Sequence, residues 1–114
     1  MTTIYKICEQ ASWSLARQTG LYRGSDADAR DGFIHLSTAA QLAGTVAKHF
    51  ARQRDLLLVA VDTDALGSAL KWEPSRGGEL FPHLYAVLPL AAVRWTRPLP
   101  EEIKGQRVLP ELAP

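Results

Sequence analysis

With 114 residues, 46% of them hydrophobic and 22% charged, the chain can bury one core but not two, so a single domain over 1–114 is expected. Its 13 Lys and Arg nearly cancel its 12 Asp and Glu, and no segment gathers the basic residues into a phosphate-tracking patch, which argues against nucleic acid as a partner. The longest apolar run, Leu56 to Val61, is too short for a bilayer, no charged segment followed by an apolar one opens the chain, and Cys8 is alone. These features predict a cytoplasmic protein with no membrane partner and no disulfide.

Thr3 to Glu9 alternates as a strand, with Ile4 and Lys6 on one face, and Cys8 reads as a small buried hydrophobe within it. Ala11 to Thr19 has helical spacing, with Ser12 as N-cap and Gly20 as the stop. LYRGSDADARD, Leu21 to Asp31, shows no periodicity and is expected to be a long loop, either a functional one or a solvated connector. DGFIHLST, Asp31 to Thr38, reads as a strand that ends at the mouth of a helix. Ile34 and Leu36 take the core side, which leaves Phe33, His35 and Ser37 on the other. Thr38 and Gln41 have capping-box spacing, so free backbone N–H groups lie close to His35 and favour a phosphate or carboxylate guest.

Thr38 to Arg54 then forms an amphipathic helix with Leu42, Val46, His49 and Phe50 on one stripe. DLLLVAVD, Asp55 to Asp62, suits a mid-sheet strand covered on both faces, and TDALGS a single helical turn. Ala69 to Pro74 alternates again before the SRGGE loop that carries Arg76. In FPHLYAVLPL, Phe81 to Leu90, one strand face carries Phe81, His83 and Tyr85, and Val93 to Arg97 supplies a last strand. Trp72 and Trp95 are read as core residues. Residues 98–114 are proline-rich and predict an extended tail packed on the surface. Strands interleaved with short helices in this way predict an α+β domain with a compact split mixed or antiparallel sheet.

His35, His83, Arg76 and Tyr85 are the residues that could converge on an anionic or nucleotide ligand. A neutral imidazole is both donor and acceptor, a guanidinium is a fixed fork of donors, and a phenol ring is a stacking plane. A structural role satisfied by backbone carbonyls is the competing reading for each histidine. No metal is expected, because His35, His83 and Glu73 or Glu79 lack any paired ligand spacing. Ser37 stands too far along the strand from His35 to form a nucleophile and base with it.

DGFIHLST, the run LKWEPSRGGELFPHLY from Leu70 to Tyr85 and the pair Pro89 and Leu90 resemble the family catalogued as domain of unknown function 952, from Ile4 to about residue 98. The resemblance implies a fold similar to the ADP-ribosyltransferase superfamily, a split sheet around a cleft for NAD. It further implies that His35 contacts a ribose and that an aromatic residue, Tyr85 or Phe81, stacks on nicotinamide. Often a late glutamate polarises the ribose in such folds. Glu73 and Glu79 flank the Gly-Gly turn, and neither stands in a transferase signature. The expected ligand set is His35, Ser37, Thr38, Arg76, His83 and Tyr85 around NAD or a related nucleotide, with His35, His83 and Glu73 as catalytic candidates. The expected activity is ADP-ribosyl transfer or NAD cleavage, and the alternative is a non-catalytic ligand-binding or protein-interaction module.

Overall fold

The structure is a computed structural model and describes residues 2–103 and 107–112. Strands β1 (Thr3–Glu9), β4 (Leu56–Asp62) and β8 (Val93–Pro98) form one antiparallel sheet in the order β1-β4-β8. β3 (Ile34–His35), β6 (Leu80–Leu84) and β5 (Leu70–Pro74) form a second in the order β3-β6-β5, and β2 (Leu21–Tyr22) with β7 (Leu88–Pro89) makes a short ribbon. Every strand pair is antiparallel, so of the two expected sheet types the antiparallel one holds.

β4 is central, as its unbroken apolar run requires. Leu57, Val59 and Val61 enter one core with Ile4, Cys8, Ile34 and Leu36, while Leu56, Leu58 and Ala60 enter a second with Tyr5 and Ile7. Helix α1 (Gln10–Thr19) covers the first core with Trp13 and Ala16, and α3 (Leu42–His49) covers the second with Leu42 and Val46. The tail expected on the surface from residue 98 instead adds to the fold: Pro98 closes β8, Leu99 is buried in the second core, and Leu109 and Leu112 pack against that core. Residues 104–106 and 113–114 of that tail lie outside the described residues.

The two larger sheets share the first core and, among the described residues, are joined by one backbone bridge. Tyr5 and Ser37 exchange both backbone hydrogen bonds, at 2.8 and 2.9 Å, whereas Leu36 one residue earlier donates to Pro82 on the other side. The segment after β3 therefore leaves one sheet and joins the other. The Lys6 ammonium reaches into the parting and donates to the His35 carbonyl at 3.1 Å.

Several expectations need correction. The stretch 21–31 is not a loop but holds β2 and helix α2 (Asp26–Asp31), which Ser25 and Asp28 open with a reciprocal capping box and Gly32 closes in the left-handed region at φ +85°. DADARD carries no apolar stripe, so periodicity passes over it. The cap of α1 is Glu9 rather than Ser12. α3 is shorter than expected. Its first turn, Ala39–Gln41, is a 3-10 helix with the Thr38–Gln41 capping box in place, and the helix ends at His49 with Phe50 as its cap, ahead of the positive φ of Arg52 and Asp55. His49 is exposed at its end rather than on the buried stripe. The run 81–90 is two strands with a bend at 85–87, and Trp72 is 43% exposed on the outer strand, while Trp95 is half-buried against Tyr5. Among the described residues no helix is long and apolar enough to cross a membrane.

Candidate functional site

The β3-β6-β5 register places His35 opposite His83 and His83 opposite Lys71, with Phe81 opposite Glu73. Cross-strand partners share a face, so His35, His83, Phe81 and Glu73 line one side of this sheet, while Ile34, Leu84 and Leu70 pack into the first core on the other.

His35 is held by α2. Its Nδ1 lies 2.6 Å from Asp28 Oδ1 and its Nε2 lies 2.9 Å from Asp31 Oδ2, and its backbone N–H donates to Asp28 Oδ1 at 3.0 Å. A carboxylate only accepts, so both ring contacts are made together when both nitrogens carry hydrogen. Asp28 itself is buried, with Lys6 Nζ at 2.7 Å and the Ser25 N–H at 2.9 Å on Oδ2. Burial pushes the Asp28 carboxyl up, but the His35 hydrogen bond, the Lys6 charge and its hydrogen bond, and the Ser25 N–H outweigh it and hold the group well below the ordinary carboxylate range. Asp31 is also held low, chiefly by the hydrogen bond from Arg30 and further by His35.

His83 is oriented from the opposite strand. Its Nδ1 lies 2.8 Å from Glu73 Oε1, and the Tyr85 hydroxyl donates to the same oxygen at 2.7 Å. The bond from Tyr85 and then the one from His83 hold Glu73 below its usual range, and the same contact raises the Tyr85 phenol. Phe33 stacks on His83 with ring centroids 4.0 Å apart and planes at 25°, and it also touches His35 and Tyr85 at 4.5 and 5.2 Å. His83 Nε2 has no partner among the described residues. It is not among the unpartnered polar atoms sealed from solvent, so although the residue is only 5% exposed this nitrogen keeps an open edge. The two imidazoles therefore differ: both nitrogens of His35 face carboxylates, and His83 is fixed through one with the other free.

A protein-family model described as protein of unknown function (DUF952) matches residues 7–96. The chain belongs to this family. Its sequence and fold are also close to protein CC0527 from Caulobacter crescentus. The crystal structure of CC0527 is 45% identical with a TM-score of 0.89 over 94% of each chain. That of its double mutant is 44% identical, also at 0.89 over 94% of each. The solution structure is 47% identical with a TM-score of 0.81 over 92% of this chain and 90% of that one. No curated protein matches the chain.

Within this DUF952 domain the expected ligand residues fall into two groups. His35, His83 and Tyr85 meet around Phe33, as described. Ser37 and Arg76 lie together elsewhere on the same side. The Ser37 hydroxyl, buried, is 2.9 Å from Thr45 Oγ1, to which Arg76 Nη1 donates at 3.3 Å, while Arg76 Nη2 donates to the Gln41 carbonyl at 3.3 Å. The Thr38 hydroxyl is engaged as the cap of the following turn, accepting from the Gln41 N–H. Glu79 is exposed in the loop. Among the described residues no group of three His, Cys, Asp or Glu is arranged to hold a metal ion.

Asp28, Asp31 and Lys6 belong to the site without being read as functional from the sequence, which places Phe33 only on the His35 face, with no role. Two signals were available. Ser25 and Asp28 have capping-box spacing ahead of Gly32, and Asp31 precedes His35 by four residues.

Proposed function

We propose that this domain binds a nucleotide-class ligand, NAD or a part of it, on the face formed by His83, His35, Phe33 and Tyr85, with His83 Nε2 as the group that meets the ligand. The observation that carries this reading is the asymmetry of the two imidazoles. Glu73 fixes the His83 ring through Nδ1, so a neutral ring presents Nε2 as an acceptor toward a hydroxyl or another proton donor. His35, tied at both nitrogens, acts as a positioning residue through its contacts with Phe33 and His83.

The resemblance to ADP-ribosyltransferases belongs to the same proposal, supported by the parting of the sheets beside His35 and by the aromatic surface of Phe33 and Tyr85. A cleft of about 280 Å³ bordered by Arg23, Gly32, Phe33, Tyr85 and Val87 adjoins that surface, although the two histidines do not line it. It falls just below the ~300 to 1,000 Å³ of ligand pockets, and so suits part of a nucleotide rather than a whole dinucleotide. The reaction that such an arrangement suits is displacement at the nicotinamide ribose. The attacking O–H forms the new bond to the ribose carbon, the carbon–nitrogen bond breaks, nicotinamide leaves with the bonding pair, and His83 Nε2 takes the proton. The second reading, ligand binding without turnover, is favoured by the full engagement of His35 and by Glu73, whose Oε1 is shared by two donors instead of facing a substrate.

The test is a titration of the labelled protein with NAD, ADP-ribose and nicotinamide, compared across His83→Asn and His83→Gln. An Asn amide can keep the donor to Glu73 but has nothing at the Nε2 position, whereas Gln reaches that position. Binding lost in Asn and retained in Gln is the expected result. Absence of saturable shifts at both histidines with all three ligands contradicts the reading. Assay of nicotinamide release by the same variants separates turnover from binding alone.

A further inference from the structure

Arg76 is a cation fixed in place by neutral groups. Its guanidinium lies 4.9 Å over the Phe81 ring and donates to the Gln41 carbonyl and the Thr45 hydroxyl. No carboxylate pairs with it among the described residues. Glu73, across the strand from Phe81, is turned to His83 and Tyr85, and Glu79 of the same loop forms no ion pair with it. Two of its five N–H donors are used, and the other three have no acceptor among the described residues. The approach to α3 is close enough that a Cβ at Gly44 would sit 2.8 Å from Nη2. Lys48 and His49 stand one turn further along α3 from Gly44 and Thr45, without carboxylate partners among the described residues, and the Arg76 charge is one of the influences that lower the His49 imidazole, after burial and Lys48. In a chain of net charge +1, this flank gathers Arg76, Lys48 and His49, and among the described residues neither Glu73 nor Glu79 forms an ion pair with Arg76 or Lys48.

We infer that Arg76, backed by Thr45, Gly44 and Lys48, forms a subsite for a phosphate-class oxyanion at the α3 end of the imidazole face. A preoriented guanidinium with spare parallel donors matches the oxygen pair of a phosphate better than a point charge does. Phe81 beneath Arg76 and His83 are two residues apart on one face of β6, ~7 Å along the strand. A phosphate at Arg76 and a sugar at His83 are thus within the span of one nucleotide. The inference deepens the reading given under Proposed function and rests on it for the identity of the ligand, while the anion site itself stands on the geometry of Arg76.

The experiment is a titration with inorganic pyrophosphate at constant ionic strength in sodium chloride, read by NMR at the Arg76 Nε–H and the Gly44 and Thr45 amides. Saturable shifts at these groups are expected, weakened roughly tenfold or more in Arg76→Gln, reduced in Gly44→Ala because the added methyl displaces the guanidinium without removing it, and unchanged in His83→Asn. Arg76→Lys, which keeps the charge and loses the fork, is expected to fall between wild type and Arg76→Gln. Shifts no larger than those from chloride, shifts spread evenly over Arg30, Arg52 and Arg54, or equal affinity in Arg76→Gln would overturn the inference. The reading of His83 fails separately, on silence toward nicotinamide and ADP-ribose, whatever pyrophosphate does.

Discussion

Over β1 and β4, the side of the sheet that faces α3 carries Tyr5, Ile7, Leu56, Leu58 and Ala60, all buried. Across the Tyr5–Ser37 bridge, the same side of β3, the segment after it and β6 carries His35, Ser37, Phe81 and His83. The first half is covered by Leu42 and Val46 of α3 and by Leu99, and it needs no polar partners. The second half is tied by specific hydrogen bonds to α2, to β5 and to the Arg76 loop. One face thus stabilises by area and the other by pairing, and the energetic consequences of substitution differ accordingly. Removing a methyl group from the apolar half leaves a cavity, whereas removing one partner in the polar half strands a charge or a donor.

The largest effect is expected at the parting between the halves. Asp28→Asn leaves the buried Lys6 ammonium without its carboxylate and weakens the hold on His35, and breaking one side of such a pair costs about 3–5 kcal/mol. Urea unfolding of the variant measures this directly. An exposed pair such as Arg54 with Glu101 is the control, expected to contribute ~0–1 kcal/mol.

Acid should reach the polar half first. Because the Asp28 carboxyl is depressed in the folded protein, its stabilising contribution is complete above the ordinary carboxylate range of ~4 and is lost as pH falls below it. Unfolding free energy measured against pH should therefore decline on acidification, with a shallower acid limb in Asp28→Asn. An identical limb in the two proteins would place the acid sensitivity elsewhere.

Gly44→Ala gives the smallest change in stability and has the opposite sign. Alanine is favoured over glycine inside a helix by up to ~1 kcal/mol, and the atom it meets is the end of the Arg76 side chain, which can move aside. Thermal unfolding should show a neutral or slightly more stable protein in which the anion response of Arg76 is reduced. A gain in stability with that response intact would show that the close approach has no part in holding the guanidinium.

Legibility in the sequence followed the same division. β4 and its double coverage, the faces of β3 and the Thr38–Gln41 cap could all be read, because apolar alternation and capping chemistry are local signals, but the strand expected over Asp31 to Thr38 is shorter, since Asp31 ends α2, Gly32 caps it and β3 holds only Ile34 and His35. α2 escaped because it has no apolar stripe and is stabilised by its caps and by the buried Asp28. The exposure of Trp72 could not be read either, since alternation assigns a side of the strand but not whether anything covers it. The bend at 85–87 lies in apolar sequence, where no Gly or Asn marks a turn. Within the site, the histidines and Tyr85 were legible as residue types, but their orienting carboxylates were not, because Asp28 and Glu73 reach them from separate elements. Arg76 could be named from its loop, but not its anchorage on α3, which depends on the approach of that loop to Gly44.

The central claim is that His83 is the imidazole held through Nδ1 with Nε2 left for a ligand, while His35 is held at both nitrogens. Long-range nitrogen–proton NMR of the ring nitrogens tests it most directly. The account predicts a His83 whose Nδ1 bears the hydrogen shared with Glu73 and whose Nε2 resonance moves on addition of ADP-ribose or nicotinamide, and a His35 whose ring nitrogens stay with Asp28 and Asp31 and are little changed. A His83 ring with its hydrogen on Nε2, or a ligand response confined to His35, would contradict it.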